Sequence, residues 1–117
     1  NAYIRIRDRN KSCISCGTAQ GETVQGGKFD AGHYRSRGSA GHLRYHLLNC
    51  HSQCVKCNRY LSGNVVEYRK GLIEKVGPER VERLEIDNNP RKFTIEYLKR
   101  VKKIFNYRKR LYERKFR

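Results

Sequence analysis

Two cysteine pairs, "CISC" at Cys13 and Cys16 and "CVKC" at Cys54 and Cys57, constrain this chain more than any other feature. A C-x-x-C turn delivers two thiolates to one side of a metal ion, and two such turns complete a tetrahedral four-thiolate zinc site. A thioredoxin-like redox dithiol needs a βαβ pattern around one pair, and that pattern is missing. The fifth cysteine, Cys50, stands outside both pairs and reads as a small buried hydrophobe. Zinc ribbons ordinarily separate their pairs by about 15–20 residues. Here residues 17 to 53, 37 in all, lie between the pairs. The metal therefore closes a large loop, and any further chemistry lies inside that loop or at its exit.

A chain of 117 residues fits one domain, with a core thin enough for a metal staple to help. Lysine and arginine outnumber acids 27 to 11, for a net charge of +16. Such an excess points to a polyanionic partner, because neutralising phosphates releases their counterions. Scaffold proteins of the ribosome share it, so charge suggests nucleic acid without naming an activity. No apolar run approaches the roughly 20 residues needed to span a bilayer, and no signal-peptide pattern opens the chain. The expectation is therefore a cytoplasmic protein with no membrane partner. The chain opens at Asn1 and not at Met, which implies that something upstream has been removed.

The local patterns give an order of elements. "AYIRIRDR" (2–9) alternates apolar and charged residues and fits either a strand or a first helical turn. "TVQGGKFDAGHY" (23–34) reads as a strand around a Gly-Gly turn that runs up to His33. "RSRGSAGH" (35–42) is loop, and "LRYHLLNCHSQ" (43–53) is expected to return as a second strand. "NRYLSGNVVEYRKGLIEKVG" (58–77) reads as helix broken near Ser62-Gly63-Asn64. Gly77-Pro78 ends it and starts "PERVERLEI" (78–86), while "DNNPRK" (87–92) is a linker. From Thr94, a candidate N-cap, Ile95, Leu98, Val101, Ile104, Phe105, Leu111 and Tyr112 recur at helical spacing.

Strand, loop, strand and helix, with the second knuckle at the helix start, resemble the HNH or ββα-metal nucleases. The residues that carry the likeness are "CISCG", "DAGH", Asn49 five before Cys54, and "CVKCNRYLSGN". Over most of residues 1–80 the chain resembles the phage NinG, or Rap, recombination endonucleases. It is also similar to phage endonuclease VII in having an asparagine directly after the fourth zinc cysteine. The resemblance implies an α+β fold: a zinc-stapled ββα-metal core over residues 1–76, then a basic helical extension over 77–117 packed on the same domain. It implies cleavage of branched recombination intermediates such as Holliday junctions and D-loops, in a phage-infected or prophage-bearing bacterial host.

The chemistry can also be argued from the side chains. Phosphodiester hydrolysis needs a base for the attacking water, and neutral imidazole suits that task near pH 7. His33, at a strand end beside a basic loop, is placed for it. A hard divalent cation, Mg2+ or Mn2+, stabilises the scissile phosphate and keeps several waters, so few protein oxygens are needed. Asn58 supplies an amide oxygen in the first helical turn, fixed by the adjacent Cys57. By resemblance, Asn49 supports the loop that holds His33. Asp30 departs from the common HNH pattern, which places an acid immediately before the histidine, where this chain has Gly32. The D-x-G-H spacing is closer to the non-specific ββα-metal nucleases, and Asp30 is either a metal ligand or a structural hydrogen-bond acceptor. His51, two residues beyond Asn49, is expected on the same side of a strand, within reach of phosphate or metal.

Arg35, Arg37 and Arg44 are candidate phosphate contacts near the cut. Residues 91–117 carry twelve basic residues and two acids, Glu96 and Glu113. That makes the tail, with Lys99, Arg100 and Lys103, a candidate DNA-backbone contact. Tyr97, Tyr107 and Tyr112 are expected to pack and not to stack on bases. Symmetric cutting of a junction favours a homodimer, which nothing in the pattern establishes. Two functions remain open: a metal-dependent DNA endonuclease, and a non-catalytic zinc-stapled DNA-binding module that keeps the HNH shell. Only the first needs His33 and a second metal.

Overall fold

At the centre, two short antiparallel strands are covered on both faces by helices. The computed structural model describes residues 2–20 and 29–115. Helix α1 (Ala2–Arg7) opens the chain, so "AYIRIR" is helical. Strands β1 (Asp30–His33) and β2 (Cys50–Gln53) pair in the register Asp30↔Gln53, Ala31↔Ser52, Gly32↔His51, His33↔Cys50. Helices α2 (Val65–Val76), α3 (Pro78–Ile86) and α4 (Ile95–Lys115) follow.

The strands are shorter than the sequence suggests. Residues 43–49 do not join β2. They form two 3-10 turns, Gly41–Leu43 and Leu47–Asn49, joined by an irregular link. The expected first strand begins at residue 23, and its part at 23–28 lies outside the described residues. Tyr34 keeps one ladder-like bond, its N–H donating to the Asn49 carbonyl at 2.8 Å, before the loop departs. What shortens the sheet is competition from local hydrogen bonds, since the glycine- and serine-rich loop satisfies its own backbone through turns.

Each face of the sheet meets a different helix. Cys50 packs against Tyr3 and Ile4 of α1, and Phe105 and Tyr112 of α4 close over that cluster. The Phe105 ring stacks on Tyr3 at 5.5 Å, and Tyr112 meets the same ring edge-on at 5.9 Å. On the other face Tyr68 of α2 is fully buried, and its hydroxyl donates to the Gly32 carbonyl at 2.7 Å. Tyr68 and Leu72 continue into a core with Val81 and Leu84 of α3. That core bridges the boundary drawn at residues 76 and 77. The two helices of the 77–117 segment thus attach at different places, α3 on α2 and α4 on α1.

Several ends have local causes. The Thr94 hydroxyl accepts the Tyr97 N–H at 3.1 Å, which caps α4. Gly77, at φ +90°, ends α2, and Pro78 starts α3 where its missing N–H has no helical partner. The expected helix at 58–77 is broken at residues 61–64, with Ser62, Gly63 and Asn64 all at positive φ. Before the break, Lys56–Tyr60 form a π-turn. Close approach explains Gly71: a Cβ there would lie 1.9 Å from the Ile14 carbonyl oxygen, so α2 rests directly on the first cysteine knuckle.

Candidate functional site

The four paired cysteines converge. One sulfur from each of Cys13, Cys16, Cys54 and Cys57 lies within 4.8 Å of the other three. A tetrahedral zinc with Zn–S bonds of about 2.3 Å places its sulfurs roughly 3.8 Å apart, and Cys16 Sγ and Cys54 Sγ are 3.8 Å apart. Backbone N–H groups of Cys16 and Cys54 point at Cys13 Sγ, and that of Cys57 at Cys54 Sγ. Such donors stabilise thiolates. Burial nevertheless pushes the Cys57 thiol up to about 12 although Asn64 donates to it, with the neighbouring thiols adding to the rise. Four sulfurs this close ionise together only around a cation, so the donor set fits a structural zinc ion.

Cys50 stays out of this group. It is buried against α1, and burial pushes its thiol up to about 11, as befits an inert core residue.

His33 ends β1 with its ring facing the loop. Its Nε2 lies 3.1 Å from the Arg44 carbonyl. A carbonyl only accepts, so Nε2 carries the hydrogen and the Nδ1 lone pair is the basic one. Burial lowers the His33 pKa, the Arg44 carbonyl opposes that, and the charges of Arg37 and Arg44 lower it further. The ring is therefore neutral near pH 7.

Asn49 holds the loop that carries Arg44. Its side chain is 0 % exposed. Oδ1 accepts the Arg35 N–H at 2.9 Å, while Nδ2 donates to the carbonyls of Arg35 at 3.0 Å and Leu43 at 3.3 Å. This asparagine is a brace across the loop mouth, one step removed from His33.

Asp30 sits at the start of β1, 8 % exposed. Asn58 Nδ2 donates to its Oδ2 at 2.9 Å. Arg59 grips both oxygens, Nε to Oδ2 and Nη2 to Oδ1, each at 3.0 Å. With Nδ2 committed to Asp30, Asn58 keeps Oδ1 as its remaining acceptor. The π-turn places Cys57 in the sulfur cluster and Asn58 beside Asp30 in consecutive residues. Asn58 and His33 line one cleft of about 310 Å³ together with Ser62 and Gly63.

Gly32 explains why the acid stands at position 30. A Cβ on Gly32 would meet Gln53 Oε1 at 2.0 Å and Gln53 Cβ at 2.9 Å. Gln53 is itself held, its Nε2 donating to Ser15 Oγ at 2.9 Å and the Gly63 carbonyl at 2.6 Å. No side chain fits directly before His33. Asp30, one strand repeat earlier, projects from the same face as position 32.

The family model described as "Bacteriophage Lambda NinG protein" matches residues 1–115. This chain belongs to the NinG family. The protein ninG of Escherichia phage lambda is 46% identical over 102 residues, covering 87% of this chain and 48% of that protein. Those of Salmonella phage P22 and Escherichia phage 933W are 45% and 44% identical, with the same coverage. The chain thus spans about half the length of the curated relatives it matches. No solved structure matches it.

Two sequence expectations for this NinG-family chain need correction. His51 does not share the cleft with His33. It is 2 % exposed, on the opposite face of the sheet, edge-on to Tyr68 at 6.3 Å. The parity argument fails because Asn49 belongs to a 3-10 turn, so counting by twos from it crosses a break in the strand. Burial, then the charges of Lys75 and Arg7, lower the His51 pKa to about 3.

Arg35 is also not turned to solvent. Its Nη1 donates to the Leu84 and Asp87 carbonyls at 2.9 and 2.6 Å, and Nη2 to Asn88 Oδ1 at 2.8 Å. It caps the C-terminus of α3, where a cation complements the helix dipole. Arg37, Arg44, Lys99, Arg100 and Lys103 are exposed. In the C-terminal tail, Tyr97 stacks on Phe93 at 5.3 Å and Tyr112 packs on Tyr3, but Tyr107 is exposed. The expected apolar stripe of α4 is split, with Ile95, Ile104 and Leu111 exposed as well.

Sequence reasoning missed Arg59, although it directly follows Asn58. It also missed the buried anchor Asp8, which accepts from Arg7 at 2.8 and 2.9 Å and from the Ser52 N–H at 3.0 Å. Arg7 continues to the Leu47 and Cys50 carbonyls at 3.0 and 2.7 Å, tying α1 to both ends of that turn.

Proposed function

We propose that this chain is the ββα-metal (HNH) nuclease part of a NinG-family endonuclease, cutting DNA at branched recombination intermediates. The observation that carries the reading is His33: a neutral imidazole, oriented by the Arg44 carbonyl, lining one cleft with Asn58. In that role Nδ1 takes the proton of the attacking water. Asn49 keeps the Arg44 carbonyl in place by bracing the loop at Arg35 and Leu43.

The donor set also suits a hard cation. The Asn58 amide oxygen is one ligand, and Asp30 is a second once its charge is released by Arg59, whose guanidinium now stands where a cation would be held. A magnesium or manganese ion there would stabilise charge on the phosphate and the leaving 3′ oxygen. Exposed Arg37 and Arg44 beside His33, with Lys99, Arg100 and Lys103 on α4, supply the cationic surface for the backbone. Among the described residues no helix is long and apolar enough to cross a membrane. The host-cell cytoplasm, where phage DNA is processed, is the compartment this reading implies, and a homodimer is the assembly that symmetric junction cutting favours.

One observation favours the alternative, a zinc-stapled DNA-binding module without activity. Both Asp30 oxygens are already neutralised by Arg59. Incubation with linear duplex, flap and four-way junction DNA, with and without magnesium, separates the two. Cleavage only with the ion, abolished in His33→Ala while DNA binding persists, supports the nuclease. Binding without cleavage at any magnesium or manganese concentration supports the module.

A further inference from the structure

A second cleft, of about 280 Å³, lies against the His33 ring. Its floor is apolar, built from Ile4 and Cys50, which are buried, with Leu47 and Phe105 at the sides. Tyr45 adds an aromatic wall, held edge-on to Phe93 at 5.3 Å. Arg37 and Arg44 stand at the rim, both exposed. His33 lines this cleft and the one shared with Asn58. The imidazole thus stands between two clefts, of which this one has an apolar floor and a cationic edge.

That combination fits one ligand chemistry. A nucleoside has flat apolar faces that stack on aromatic and aliphatic walls, and it carries a phosphate on either side. The rim arginines suit those phosphates, and the volume is just below the ligand-pocket range of about 300–1,000 Å³, enough for one base and not for a paired duplex. We infer that this cleft receives a single unstacked nucleoside of the DNA strand, next to the phosphate presented to His33. The inference rests on the nuclease reading for the position of that phosphate.

The consequence is discrimination by structure and not by sequence. In paired DNA the base faces are covered by their neighbours, and only the edges show in the grooves. Bringing a base to the cleft then means unstacking and unpairing it, a cost that is smallest where the base is already unpaired, as at a flap or gap. Every base has a stacking face, so the cleft is tolerant of sequence.

The test is binding without added divalent cation, so that cleavage does not enter. The probes are a flap and a gapped four-way junction, each carrying 2-aminopurine at an unpaired position, and a linear duplex carrying it within a paired run. Wild-type protein should change the fluorescence of the unpaired probe and not that of the paired one. Leu47→Trp, which fills the cleft, should abolish the change and weaken junction and flap binding about tenfold or more, with duplex binding unaltered. Zinc content and circular dichroism report whether the variant folds, and the wild-type comparison of paired and unpaired probes stands without it. Equal responses from both wild-type probes, or a folded Leu47→Trp protein with the full response, overturn the cleft. If the protein cuts junctions with magnesium yet fails these measurements, the cleft is wrong and the nuclease reading stands. If the cleft behaves as expected but no cleavage occurs with any cation, the nuclease reading fails alone.

Discussion

Removing the Asn49 side chain tests whether the loop beside His33 is held from within. The side chain is fully buried and makes three hydrogen bonds, one from the Arg35 N–H and two to the carbonyls of Arg35 and Leu43. Asn49→Ala leaves all three backbone groups without that partner. The Leu43 carbonyl keeps the His46 N–H at 3.0 Å, so the loss falls on the two Arg35 groups. A buried group deprived of its hydrogen bond costs about 1–3 kcal/mol, and the Arg35 carbonyl, with a spare lone pair, falls at the low end, so the sum is about 2–4 kcal/mol. That is a large part of the 5–15 kcal/mol that ordinarily stabilises a domain. With a urea dependence near 2 kcal/mol per molar, the midpoint should fall by about 1.5 M. Asn49→Asp keeps the shape and the acceptor but turns an oxygen toward two carbonyls, so at neutral pH it should cost at least as much. Proton NMR titration supplies the functional readout: as the loop loosens, the His33 pKa should rise back toward its ordinary value, because its depression comes first from burial. A midpoint shift under about 0.5 M, which is about 1 kcal/mol, with His33 titrating as in the wild type, would refute the reasoning.

Further expectations concern the metals, the base and the tail. Cys54→Ser should lose zinc and cooperative unfolding together, because the ion contributes folding free energy directly; a folded, zinc-free variant would remove the staple. If His33 is the base, kcat/KM should rise with pH and level off with a midpoint below about 6.5, since burial favours the neutral, proton-accepting form. A midpoint above 7 would point to another group. Arg59→Met frees Asp30 from its bidentate partner, so manganese should bind about tenfold tighter by electron paramagnetic resonance; unchanged or weaker binding would make the pair purely structural. Replacing Lys99, Arg100 and Lys103 together by alanine should lower the salt slope of duplex binding by roughly 3. This is cleaner than truncation, because Phe105 and Tyr112 cover Tyr3. An unaltered slope would take α4 off the DNA.

What was legible in the sequence is local. The break at Ser62-Gly63-Asn64, the Gly77-Pro78 junction and the Thr94 cap are each set by residues within a few positions of one another, the sulfur cluster by two such close pairs whose shared chemistry joins them, and the fold contains all four. Partnerships between distant residues were not legible. Nothing near Arg35 signals that its guanidinium ends α3 some fifty residues later. The face taken by His51 depends on where β2 starts, and that is decided by the 3-10 turn at Leu47–Asn49, which propensity does not mark. The Arg59–Asp30 pair joins a residue inside the loop that the cysteines close to one just past its exit. Gly32 was visible as a departure from the HNH pattern, but its cause, the Gln53 side chain, appears only once the strands are in register.

The separation between the cysteine pairs also orders events during synthesis. A chain leaves the ribosome N-terminus first, at about 5–20 residues per second, so Cys13 and Cys16 wait for Cys54 and Cys57 while everything between them emerges. Asn58 and Arg59 come directly after the last ligand. Until that point Asp30 has neither partner, and the polypeptide is a cationic coil able to cling to any nucleic acid by charge. If the four cysteines take up zinc, capture of the ion would convert that coil into the folded chain. On the proposed nuclease reading, the metal supply would then act as a licensing step between a nascent chain that only sticks to nucleic acid and a folded one with its cleft assembled.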